Sequence, residues 1–77
     1  MSWFSVTYRT RDPQELERIL VWLQQKTGSL YAHYVKAEVD YSVTEENYYV
    51  VYEINVPKKY IKKHDADLVL AHIARGS

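Results

Sequence analysis

Three carboxylates sit two residues apart or in register on stretches rich in β-formers: Glu38 and Asp40 in "YVKAEVDYS", and Glu53 in "NYYVVYEINV". Side chains two apart on a strand share a face, so these acids could converge. Converged carboxylates hold hard cations such as Mg²⁺, and they raise one another's pKa, as acid–base chemistry requires. The sequence completes neither site. No glycine-rich phosphate loop and no positioned base accompanies the acids. No catalytic residue, metal site or cofactor is therefore assigned. Glu38, Asp40 and Glu53 read instead as an acidic surface that meets a partner protein, or as a solvated strand face. Acids on an exposed edge also discourage strand-to-strand aggregation.

The second constellation is "KKYIKK". Lys58, Lys59, Lys62 and Lys63 flank Tyr60 and Ile61. Lysines engage phosphates, and an aromatic ring stacks on bases, so the alternative function is nucleic-acid binding through Lys58, Lys59, Tyr60, Lys62 and Lys63. Arg9 and Arg11 would extend this patch if the turn after the first strand lies nearby. The balance of ten bases against ten acids, with a pI near 6.8, favours a different partner, because dedicated nucleic-acid binders are basic overall. Of the histidines, His33 shares strand parity with Tyr31 and Val35 and reads as a rim residue. His64 and His72 would share a helical face only if one helix ran through both, and Asp65 interrupts that as a cap.

The chemistry-bearing residues need elements to place them. "WFSVTYR", Trp3 to Arg9, alternates and predicts a strand with Phe4, Val6 and Tyr8 inward. "DPQELERILVWLQQKTG" predicts a helix capped by Asp12, with Pro13 in its first turn and Glu15 three residues beyond the cap. Its apolar face is Leu16, Ile19, Leu20 and Leu23, Trp22 flanks that face, and Gly28 ends it. Leu30 to Ser42 and Tyr48 to Val56 predict a hairpin about "TEEN". The expected register opposes Val43 to Tyr48, Tyr41 to Val50, Val39 to Tyr52, Ala37 to Ile54 and Val35 to Val56, all on the core face. It puts Glu38 opposite Glu53 on the other face, an unfavourable like-charge pair. No basic residue occurs from Glu38 through Glu53, so the hairpin is an acidic arm. In "DADLVLAHIA", Ala66, Val69, Leu70 and Ile73 share a helical face, which favours a C-terminal helix. The alternation of Val69, Ala71 and Ile73 leaves a final strand as the alternative.

The expected architecture is a single α+β domain over residues 1–77. It has a three-stranded, mostly antiparallel sheet of order 1-3-2 with one long helix on one face, βαββα. The alternative is a βαββαβ ferredoxin-like plan. The strand–helix–strand crossover should be right-handed.

Eight tyrosines and two tryptophans exceed what so small a core needs, and interfaces concentrate these residues at their centres. The leading expectation is a non-enzymatic protein-interaction module, acting as a regulator or inhibitor by occluding a larger partner. Its binding face would be Trp3, Tyr34, Tyr49 and Val51, rimmed by Glu38, Asp40 and Glu53. The partner would be another protein or a second copy; a domain this small with no cysteine to staple it gains from a homodimer. No apolar run reaches the roughly 20 residues of a membrane span. "MSWFSVTYRTRD" lacks the basic start and apolar run of a secretory signal, so a cytoplasmic location is expected.

Overall fold

The structure is a computed structural model that describes residues 2–28 and 34–76; the side chains of Tyr34 and Val35 lie outside the described set. The elements run β1 (Trp3–Thr10), α1 (Pro13–Thr27), β2 (Tyr34–Ser42), β3 (Asn47–Pro57), a short 3₁₀ turn (Lys63–Asp65) and α2 (Ala66–Ala74). The sheet is antiparallel throughout, in the order β1-β3-β2, with the most apolar strand in the middle. The C-terminal segment is a helix.

Local chemistry accounts for each boundary. The Thr10 hydroxyl oxygen accepts the Asp12 N–H at 2.9 Å and turns the chain out of β1. The Asp12 carboxylate then caps α1 by accepting from Gln14 N–H at 3.0 Å, with Pro13 following. Gly28 closes α1 at φ +69°, a left-handed conformation natural to glycine, and its N–H donates to the Gln24 carbonyl at 2.8 Å. Asp65 stands at the start of α2 but makes no capping bond. It ends a 3₁₀ turn with helical backbone angles, and a cap needs the extended conformation that Asp12 has.

The core is Val6 from β1, Leu16, Ile19 and Leu23 from α1, Ile54 and Val56 from β3, Ile61, and Ala66, Leu70 and Ala74 from α2. Trp22, Val69 and Ile73 pack against it as a half-buried margin. Arg18 ties the helices together: its guanidinium donates to the Ala74 carbonyl at 2.8 Å.

The hairpin register differs from the expectation by two residues. Tyr41 faces Tyr48, Val39 faces Val50 and Ala37 faces Tyr52, around a loop of Val43 to Glu46 closed by Ser42 and Asn47. A shift of two keeps the residues from Lys36 to Ser42 on their expected faces. It also removes the expected Glu38–Glu53 clash: Lys36 stands opposite Glu53, and Glu38 opposite Val51. A bulge between Tyr34 and Lys36 moves Tyr34 into line with Ile54. The expected start of this strand at Leu30, and His33, lie outside the described residues.

Candidate functional site

The core face of the sheet is longer than its cover. β3 has 11 residues and spans about 37 Å, whereas α1 has 15 and spans about 22 Å. β1 ends at Thr10, opposite Val50, and α1 turns back from there over β1 and β3. Nothing among the described residues overlies the hairpin end or the β2 flank. Burial along β3 records this, passing from exposed at Tyr48 to buried at Val56. The molecule is accordingly elongated, 40 × 21 × 21 Å.

The consequence is an exposed apolar tract. Val39, Tyr41, Val43 and Tyr48 are 71%, 48%, 80% and 62% exposed, and the Tyr41 and Tyr48 rings meet at 4.7 Å between centroids. The expectation that Tyr41 and Tyr48 build the core is corrected: they occupy the core face, but beyond the reach of the helices. Tyr52, nearer the helices on the same strand, is half-buried. Sequence alternation identified the face; the helix length and the end of β1 were the signals that could have shown it uncovered.

The opposite sheet face carries the residues expected to bind. The ring of Tyr49 lies under two guanidiniums, Arg9 at 3.7 Å and Arg11 at 5.0 Å from its centroid. Arg9 also pairs with Asp40 at 3.3 Å and Arg11 with Glu45 at 3.8 Å. The Tyr49 hydroxyl donates to the Glu45 carboxylate, and that bond raises its pKa by favouring the protonated phenol. Tyr49 is thus half-covered by charged side chains of its own chain. Val51 lies beside it, opposite Arg9 and likewise half-buried. Trp3 is on the same face but opposite Pro57, eight residues along β3 from Tyr49 or about 27 Å. The structure therefore brings Tyr49 and Val51 together and leaves Trp3 at the far end. Tyr34 enters through its backbone pairing alone.

The three acids meet a cation of the chain itself. Lys36 is 2.6 Å from Glu38 and directly opposite Glu53, and the hydrogen bond to Glu38, then its charge, raises the lysine's pKa. Asp40 is occupied by Arg9. Among the described residues no three His, Cys, Asp or Glu side chains gather to hold a metal ion.

The lysine cluster lies at the other end of the sheet. Lys58, Lys59, Lys62 and Lys63 are exposed, while Ile61 is buried as a plug of the core. Tyr60 is partly exposed, with the Lys59 ammonium 5.5 Å from its ring centroid. Arg9 and Arg11 are near the hairpin end and do not extend this cluster. His64 is 3.5 Å from Asp65, and His72 lies on the rim of an open groove between α1 and α2. That groove, about 620 Å³, is walled by Arg18, Val21, Trp22 and Ile73, and only Trp22 at the margin of the apolar stripe hinted at it.

No family model, curated protein or solved structure matches the chain. No described helix is long and apolar enough to cross a membrane.

Proposed function

We propose that the protein is a non-enzymatic protein-interaction module that grips a partner protein with its projecting hairpin. One observation carries this reading: the tract of Val39, Tyr41, Val43 and Tyr48 stays exposed on an ordered hairpin. Contiguous apolar surface of this kind, with two tyrosines at its centre, is what interfaces bury. Glu45, Glu46, Glu53, Glu38 and Asp40 lie on the arm, and among the described residues Lys36, Arg9 and Arg11 pair with them or stand opposite. The matching surface is an apolar strip. Occlusion of a larger assembly, as a regulator or inhibitor, suits an arm that reaches beyond its own core.

The test is Tyr41→Thr with Tyr48→Thr. The double variant should keep its circular dichroism, and binding to a purified partner captured by the wild type should weaken by about 2 kcal/mol per tyrosine. Unchanged affinity would remove the hairpin tract from the interface.

A second reading is favoured by the other end of the sheet. Four exposed lysines there form no described ion pair, and Tyr60 presents part of its ring. Anisotropy of labelled single-stranded RNA should show binding that weakens steeply with salt and disappears when the four lysines become Gln. Binding indifferent to those substitutions would exclude this site.

A further inference from the structure

Among the described residues the sheet has a second edge, along β1, whose one strand partner is β3. The phase of that edge follows from one bond. Lys58 N–H donates to the Ser2 carbonyl at 3.0 Å, the rung next to Trp3–Pro57. Antiparallel rungs alternate between bonded and non-bonded pairs. Phe4, Val6, Tyr8 and Thr10 therefore spend their backbone groups on β3. Ser5, Thr7 and Arg9 turn their N–H and C=O groups outward. Pro57, which has no N–H, falls on a non-bonded rung as this phase requires.

This edge is built for pairing. It runs eight residues with no bulge and no proline, and its single charge, Arg9, is already paired with Asp40. Such an edge lacks the bulge and proline that hinder strand addition, whereas β2 has a bulge and three charges. A groove of about 340 Å³ lies along it, lined by Phe4, Ser5, Val6 and Thr7, with Lys63, Ala66 and Asp67 as the far wall. Strand side chains alternate between faces, so a groove lined by four consecutive residues is one that meets the strand edge-on.

The geometry points to a peptide-binding site at which an extended segment of a partner protein adds to β1 as a fourth strand, beneath the start of α2. The segment's chemistry is set by what it faces. Alternate aromatic or β-branched residues would oppose Phe4, Val6 and Tyr8, and hydroxyl residues would oppose Ser5 and Thr7. Lys63 and Asp67 offer one charge of each sign, so the site demands neither sign of charge from the segment. A second copy of the chain would bring its own α2, which packs on its β1, up to the same edge, whereas an extended segment brings no helix. This site is separate from the hairpin tract and does not depend on it.

The β1 sequence supplies its own probe. Laid antiparallel about Val6, it sets Phe4 against Tyr8, Ser5 against Thr7 and Trp3 against Arg9. A synthetic peptide of the sequence Ser2 to Arg11 carries no helix to obstruct it. In an NMR titration of the intact chain, the amides of Ser5 and Thr7 should shift saturably and gain protection from exchange. Thr7→Pro removes an outward N–H without touching the β3 bonds, and should weaken binding about tenfold or more. Tyr41→Thr with Tyr48→Thr should leave it unchanged. The site is overturned if the peptide fails to saturate by about 1 mM, or if the shifts fall on Val39 and Tyr48. It is also overturned if light scattering of the chain alone shows a dimer that protects the Ser5 and Thr7 amides. The wild-type shift map decides the question even if Thr7→Pro does not fold.

Discussion

Val39 and Val56 occupy the same face of one sheet, and threonine at each gives opposite expectations. Folding removes little more than a quarter of Val39 from water, since it is 71% exposed, whereas Val56 is 0% exposed. Full burial of a valine is worth about 1.5–3 kcal/mol, so Val39→Thr should cost at most about 0.4–0.9 kcal/mol. Threonine keeps the branched shape that strands favour, so β-propensity does not confuse the result. Val56→Thr loses one buried methyl, about 0.8 kcal/mol, and also buries a hydroxyl, about 1–3 kcal/mol more if unpaired, for a total of about 2 kcal/mol or above. A chain of 77 residues has a total stability of about 4–12 kcal/mol, so the second change consumes much of it. In urea, with a slope of about 1 kcal/mol per molar, the midpoints should fall by under about 1 M and by more than about 2 M. If Val39→Thr costs over about 2 kcal/mol at every protein concentration, the chain covers the tract itself and the hairpin is not a free surface. A cost that grows with concentration would mean that a second copy covers it.

Leu70→Ala should destabilise by about 2–5 kcal/mol, because Leu70 is buried in the core, while exposed Leu68→Ala should stay within about 0.5 kcal/mol; equal effects would contradict the helical packing of α2. Burial and the hydrogen bond to the Glu15 carboxylate push the Tyr8 phenol up to about 12, against an ordinary 10.0. The folded state holds this proton more tightly than the unfolded one, so its contribution is complete below pH 10 and is lost as pH rises toward 12. Absorbance titration should show a late component near 12 that vanishes in Tyr8→Phe, and the variant should lose less stability across that window. Loss of no late component would place Tyr8 in water. Gly28→Ala should cost about 1 kcal/mol in thermal unfolding, because φ +69° strains any side chain even where there is room for one. A neutral result would show that α1 ends otherwise.

The order of elements was legible because their signals are local. Asp12, Pro13 and Gly28 bound α1 through bonds within a few residues, and alternation assigned Phe4, Val6, Tyr8, Val39 and Tyr48 to one face. The register was less so: a slip of two leaves the faces of Lys36 to Ser42 unchanged, and the charge pairing that favours the observed arrangement is Lys36 opposite Glu53 in place of Glu38 opposite Glu53. Of the expected binding residues, Tyr49 and Val51 came together, but Arg9 and Arg11 reach Tyr49 from beyond the hairpin, which strand alternation does not encode.

The sequence by itself determined which residues are apolar, which share a strand or helix face, and where α1 starts and stops, since each depends on neighbours a few positions apart. Only the tertiary structure decided which part of the apolar face is core. A helix of about 22 Å laid on a strand of about 37 Å must leave one end bare. The bare end is the hairpin because β1 stops opposite Val50 and the chain turns back there.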